Sequence, residues 1–295
     1  MKTTVHYTVA DFTFSVTADS QIVGRMSSFE PFRESVCCSD ILFYASVHLT
    51  PTPSTHLSGM EPVEDISNDF GRIRMYRGEE CYHFEVTFGD SDASHTMTVD
   101  TGFTQADIHL NSSDIYLTNA LSSLLHILYS MAILPKGGVM THASCVTLDG
   151  KGYIFLGKSG TGKSTHASLW LQNFTGCSLL NDDNPVIRNI DGVINVYGAP
   201  WSGKTPCYKK ASAPLHGIVR LEQATVNRYI PLTEASAFAG LLPSCSVIQS
   251  DCTLTEYLYR TLISVCENTS IGLLRCRPDN EAASLCRDSL CIKKK

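Results

Sequence analysis

Three early stretches alternate apolar and polar positions with a period of two. They are "HYTVADFTFSVTA" from His6, "DILFYASVHL" from Asp40 and "CYHFEVTFGD" from Cys81. Such alternation sends successive side chains to opposite faces of a strand. It predicts antiparallel strands joined by polar loops, notably the turn-rich "TPTPSTHLSGMEP" (Thr50 to Pro62). The pattern changes at Asp114. "DIYLTNALSSLLHILYSMAIL" is apolar at helical spacing, with Ser113 or Asp114 placed to cap its start and Pro135-Lys136-Gly137-Gly138 to end it. Beyond it the pattern predicts a strand "VMTHASCVTL", a turn "DGKG", a strand "YIFLG", a loop, a helix "STHASLWLQNF" and a strand "CSLLNDD". Strands alternating with a helix mean an α/β core. The expected division is therefore an N-terminal β-rich (α+β) domain over residues 1–112 and a nucleotide-binding α/β domain over 113–295.

Composition narrows the class. Apolar residues make up 43% and charged residues 18% of the 295 positions, the balance of a folded globular protein. A net charge of -6 argues against a nucleic-acid coat or a basic membrane patch. The one basic run, Lys293 to Lys295, reads as a solvated tail. Neither a signal-peptide apolar block nor a run of the roughly 18–20 apolar residues of a membrane span stands out. The expected location is cytoplasmic. The twelve cysteines form no CxxC pair, and adjacent Cys37 and Cys38 lack metal-ligand spacing, so they read as reduced and mostly buried thiols. "DFG" at Asp69 to Gly71 copies a kinase tripeptide without its companion motifs and reads as chance.

The chemistry concentrates in "YIFLGKSGTGKSTHASLW", Tyr153 to Trp170. Gly157, Gly162, Lys163 and Ser164 fit G-x-x-x-x-G-K-[ST] at every fixed position. Glycines at such spacing let the backbone turn its N–H groups toward an anion, and a helix starting at Gly162 adds its positive end. Gly157, Ser159, Gly160, Thr161, Gly162, Lys163, Ser164 and Thr165 are the expected phosphate-binding residues. Lys163 is suited to the β- and γ-phosphates, and the Ser164 hydroxyl to Mg²⁺. An apolar strand before the loop and a helix after it supply the context the motif requires.

About twenty residues on, "GCSLLNDDNPV" ends an apolar strand with Asp182 and Asp183. A phosphate site needs a carboxylate there for the cation. A second carboxylate can take a proton from an attacking hydroxyl. Two Asp opening a turn before Asn184-Pro185 is the plainer alternative. His142 either points toward the same phosphates or is satisfied by backbone. His166 reads as packing or capping. "YGAPWSGKTPCYKK", Tyr197 to Lys210, offers Lys204 as a cation for phosphate charge. Trp201 there either covers a base or fixes the loop. Solvated lysines on a surface turn remain the alternative for the whole stretch.

Taken together, "GKSGTGKSTH", "LLNDD" and the preceding "HAS" resemble the HPr kinase and phosphoenolpyruvate carboxykinase superfamily. The nearest likeness is to an HPr kinase-related branch carrying "STH..LW", "NDDNP" and "PWSGKTPCY". The resemblance covers roughly residues 115 to 245. It implies a carboxykinase/HPr kinase-like P-loop core, ATP and Mg²⁺ as cofactors, and roles for His142, Lys163, Ser164, Asp182 and Asp183. Asp183 would be the general base, while Asp182 and Ser164 would serve Mg²⁺. Two departures stand out: Thr165 replaces a frequent Glu, and "PWSGK" replaces the HPr-contact signature. Arg188, Arg220, Arg228 and Arg260 form no recognisable carboxylate clamp, and the chain is short for a carboxykinase. No NKxD motif supports a GTPase, and the DxxG of Asp149 to Gly152 precedes the loop.

The expected function is an ATP-dependent kinase that moves the γ-phosphate to a hydroxyl. The acceptor would be a Ser of a small protein or peptide, or a small metabolite. No nucleic-acid or membrane partner is expected, and a homo-oligomer is a family expectation. A carboxykinase-type lyase and a non-catalytic nucleotide-binding regulator are the alternatives.

Overall fold

The computed structural model describes residues 1–35, 40–50, 57, 59–68, 71–89, 91, 93–203 and 205–291. Cys37, Cys38, most of the Thr50–Pro62 loop, Asp69 and Phe70, Lys204 and Lys293 to Lys295 lie outside them. The fold is mixed α/β, with two large sheets and a few helices. It divides into two compact units, Met1–Ile133 and Leu134–Lys295. Among the described residues, no helix is long and apolar enough to cross a membrane.

The first unit is built on strands β1 (Lys2–Val9), β2 (Phe12–Asp19), β3 (Arg33–Glu34), β4 (Ile41–His48), β5 (Glu61–Asn68), β6 (Gly71–Arg77), β7 (Cys81–Phe88), β8 (His95–Asp100) and β9 (Gln105–His109). Their order across the sheet is β3-β1-β2-β4-β9-β8-β7-β6-β5. The alternating stretch at His6 is a hairpin. Ala10 and Asp11 both have positive φ (48° and 60°), the backbone a tight two-residue turn demands. Val5, Tyr7 and Val9 face the core from β1. The expectation of antiparallel pairing needs correction, because β2–β4 and β4–β9 are parallel. Parallel neighbours need a crossover, and the connection from β2 to β4 includes helix α1 (Ser20–Val23) and the turn Ser27–Phe32.

Helix α2 (Leu117–Ala132) also belongs to this unit. The units thus divide after Ile133, not near residue 112. The physical reason is burial. Leu117, Leu121, Leu124, Leu125 and Leu128 form an apolar stripe lying against β7, β8 and β9. Tyr129 donates its hydroxyl to the Val9 carbonyl (2.9 Å). The expected cap does not form either, since the helix opens at Leu117 with no side-chain cap. Asp114 is engaged elsewhere: it pairs with buried His95 (2.8 Å) and accepts the Tyr116 N–H (3.0 Å).

The second unit contains β10 (Gly138–Met140), β11 (Ala143–Leu148), β12 (Lys151–Leu156), α3 (Lys163–Asn173), β13 (Ser178–Asp183), β14 (Val186–Ile190), β15 (Val193–Tyr197) and β16 (Ser212–Gln223). After these come β17 (Arg228–Leu232), α4 (Glu234–Leu241), α5 (Cys252–Asn268), β18 (Ser270–Cys276) and α6 (Asn280–Cys291). The main path is β10-β14-β15-β16-β12-β11-β13, and β18 joins β16 to β17. β16 runs parallel to β12 and β18. Helices α3 and α6 pack together over the core of Tyr153, Phe155, Trp170, Val219, Leu274 and Cys286.

Register brings the chemistry to one end of the strands. β11 and β12 form a hairpin turned at Asp149 and Gly150 (φ 51° and 72°). Ala143 faces Leu156 of β12 on one side and Asp183 of β13 on the other. His142, Gly157 and Asp183 therefore share one end of three neighbouring strands. β13 is separated from β12 by β11, so the Asp pair reaches the glycine loop across an intervening strand. The predicted strand "VMTHASCVTL" is broken at Thr141 and His142. There the His142 N–H donates to the Ser244 carbonyl (2.7 Å), and the Thr141 N–H to that of Pro185 (3.1 Å).

Nine described cysteines carry free thiols. Cys145, Cys207 and Cys286 are buried, and Cys252 is exposed.

Candidate functional site

The loop 157–162 leaves β12 through a buried Gly157 and enters α3 at Lys163. A Cβ on Gly157 would sit 3.1 Å from Thr161, so the first glycine permits a tight turn. Gly160 and Gly162 have φ of 78° and 107°, and nothing lies within 4 Å of where a Cβ would stand. That leaves open space beside the backbone at both glycines, with no side-chain cap at the helix N-terminus. Ser159 on the loop and Ser164 and Thr165 in the first turn of α3 are exposed. Thr161 is turned inward on the loop, with its N–H (3.1 Å) and hydroxyl (2.7 Å) both donating to the Lys158 carbonyl. It therefore shapes the loop and offers no N–H to an anion. Gln223, at the end of β16, donates to the Gly160 (3.2 Å) and Thr161 (3.4 Å) carbonyls and ties the loop to the sheet.

Lys163 is buried, with its ammonium directed back along the loop. It donates to the Gly157 carbonyl (3.0 Å) and to His142 Nε2 (2.8 Å). Burial lowers its pKa, while the charges of Asp183 and Asp182 act in the other direction. An ammonium only donates, so His142 Nε2 is the acceptor and the ring proton sits on Nδ1. Nδ1 lies 2.9 Å from Asp183 Oδ1. The side chains of His142 and Asp183 are 46% and 33% exposed, so this chain of contacts opens to solvent. Burial pulls the Asp183 pKa up, but bonds from His142 and Asn184 and the Lys163 charge outweigh it, and the group lies below the usual carboxylate value.

Asp182 faces the opposite way. Its Oδ1 accepts the hydroxyls of Ser164 (2.9 Å) and of fully buried Ser144. One carboxylate thus joins the first turn of α3, and the other joins histidine and lysine. The pair also opens a turn, as the plainer reading has it: the Asn184 N–H donates to Asn181 Oδ1 (2.8 Å), and Asn184 Nδ2 to Asp183 Oδ2 (2.8 Å). The backbone of Asp183 has φ 120°, a strained value for a residue with a side chain.

The second loop is anchored against this turn. Ser202 Oγ (3.0 Å) and the Gly203 N–H donate to the Asp182 carbonyl. Trp201 is buried and its carbonyl accepts Asn181 Nδ2 (3.1 Å), which favours a role in fixing the loop over covering a base. Lys209 donates to the Leu179 carbonyl and does not join the site residues. Lys204 lies outside the described residues. His166 is packing: it is buried in edge contact with Phe155 and accepts Trp170 Nε1 (3.1 Å). Ser144, Asn181 and Gln223 were not singled out from sequence. Ser144 is two residues from His142 and Asn181 directly precedes the Asp pair, so strand alternation could have flagged the first and adjacency the second.

No protein-family model matches the chain, and no curated protein does. Among solved structures, the HPr(Ser) kinase/phosphatase from Coxiella burnetii is similar over 50% of this chain and 86% of that chain. The identity is 12% and the TM-score 0.31, a likeness too distant to carry weight for fold or function.

Proposed function

We propose that the chain is an ATP-dependent phosphotransferase that moves the γ-phosphate to a hydroxyl on a small protein, a peptide or a metabolite. One observation carries this reading: a glycine-rich loop, its lysine and two carboxylates with separate partners meet at one end of three neighbouring strands. The motif resemblance to the HPr kinase and carboxykinase superfamily supports it.

The residues present fit a nucleotide with a divalent cation. The loop turns on three glycines, leaves open space at Gly160 and Gly162, and ends in an uncapped helix N-terminus. Ser164 and Asp182 offer adjacent oxygen donors, the type a hard cation takes. Among the described residues, no group of three or more His, Cys, Asp and Glu could hold a metal. A cation held by these two oxygens would take further ligands from phosphate oxygens and water. When bound, Mg²⁺ supplies neutralisation of phosphate charge.

The rest falls to side chains of the chain. Loop N–H groups and Lys163 hold the phosphate tail. Asp183, ionised at neutral pH and one-third exposed to solvent, takes the proton of the acceptor hydroxyl. His142 orients that carboxylate through Nδ1. Catalysis of this kind is positioning and electrostatics, with little covalent work for the protein.

Purified protein, Mg²⁺ and ATP labelled at the γ-phosphate, incubated with a size-fractionated cell extract, tests the reading. A fraction that acquires label only with active protein supports it. Label released solely as inorganic phosphate counts against transfer and favours a nucleotide-binding regulator.

A further inference from the structure

We propose that Asn181 is a positioning residue that sets the aim of the Asp183 carboxylate. The assignment deepens the phosphotransfer reading and rests on it for its functional meaning. Asn181 is fully buried at the end of β13, and both of its amide hydrogens are used. They go to the carbonyls of Ala199 (3.2 Å) and Trp201 (3.1 Å). Its oxygen accepts the Asn184 N–H (2.8 Å). One side chain therefore links the turn that follows Asp183 to the loop that grips the Asp182 carbonyl through Ser202 and Gly203.

Between these two anchors Asp183 is held at φ 120°. A backbone in so sparsely populated a region persists only when its surroundings over-determine it. Here the fixed points lie on both sides: the Asp182 carbonyl before it and the Asn184 N–H after it. Without the Asn181 amide, the Asn184 anchor and the tie to Ala199 and Trp201 are lost together. The turn is then free to relax, and the carboxylate leaves His142 Nδ1. These hydrogen bonds of Asn181 go to neither the glycine loop 157–162 nor Lys163 or Ser164, so nucleotide binding does not depend on them directly.

Two variants test this. Asn181→Asp keeps the shape and the acceptor but sets one carboxylate oxygen against the two carbonyls of Ala199 and Trp201. Asn181→Ser keeps a small polar group but shortens the reach. The first readout needs no activity: nitrogen NMR of the His142 ring at fixed pH in the purified protein. The parent shows the Nδ1–H form. A folded variant in which that population falls measurably supports the proposal, and one with an unchanged His142 signature overturns it. The second readout applies once a labelled acceptor fraction is in hand. Transfer kcat falls roughly ten- to a hundredfold, while the Kd for trinitrophenyl-ATP moves less than about twofold. Equal losses in both would make Asn181 a general structural residue. Should both variants fail to fold, Asn181 serves stability alone and the proposal falls. A parent that transfers no phosphate removes the phosphotransfer reading, yet the NMR comparison still decides whether Asn181 aims Asp183.

Discussion

His142 Nε2 accepts a hydrogen bond from the Lys163 ammonium at 2.8 Å, so the residue expected to hold phosphate charge is joined to the residue that orients the second carboxylate. Loop and acid are one hydrogen-bonded unit, Lys163–His142–Asp183. Disturbing the first member therefore reaches the last.

Lys163→Ala tests the loop end of that unit. The variant loses the ammonium that donates to Gly157 and His142. Affinity for trinitrophenyl-ATP is expected to drop at least tenfold, about 1.4 kcal/mol, and turnover to vanish with it. Equilibrium titration by fluorescence measures this. Parent-like affinity and activity would remove Lys163 from the phosphate site.

Asp183→Asn tests the acid end. Asparagine tolerates positive φ about as well as aspartate and keeps one acceptor oxygen for His142 Nδ1, so the ionised proton acceptor is lost together with the bond from Asn184 Nδ2. Transfer is expected to fall by about 10² or more, with ATP affinity retained. Full transfer with labelled ATP in this variant would exclude Asp183 as the base.

Gly203→Ala tests the contact between the second loop and the Asp pair. A Cβ there would lie 3.1 Å from Asp183 Cβ, closer than ordinary packing. Relief of such overpacking costs about 1–3 kcal/mol, read as a lower urea midpoint. The displaced carboxylate lowers transfer roughly tenfold or more. Unchanged stability and transfer together would show that the loop yields without moving Asp183.

His166 supplies a pH dependence of stability. Burial lowers its pKa from 6.5 to about 4, and it accepts the Trp170 N–H as a neutral ring. The unfolded chain takes up a proton near pH 6.5 that the folded chain refuses until about pH 4. Its contribution is therefore fully present above the unfolded value and lost as pH falls through that window. Between pH 7 and pH 5 the loss is about 2 kcal/mol. Urea unfolding at both pH values should show His166→Gln losing less than the parent. Equal acid sensitivity would mean that His166 titrates normally in the folded state.

Local signals carried much of this architecture. The glycine loop, the start of α3 and the hairpin at Asp149-Gly150 are written in a few adjacent residues, where backbone freedom demands particular types. Pairing is another matter. Nothing near Thr13 or Ala45 says that β2 and β4 run parallel, because the partner is chosen by a crossover of more than twenty residues. The same holds for β11 lying between β12 and β13. Helix α2 showed its apolar stripe, but a stripe does not say which sheet it covers. Asn181 escaped notice because an asparagine beside two aspartates reads as turn chemistry until its amide is seen to hold Ala199 and Trp201.

The interruption at His142 has a consequence for shortened forms of this protein. A polypeptide cut after Leu241 keeps every signature residue from Gly157 to Asp183, yet it lacks the Ser244 carbonyl that pins the histidine backbone. Matching signatures alone would credit such a fragment with a competent centre. Its imidazole, missing that downstream tether, would drift from the acid it serves.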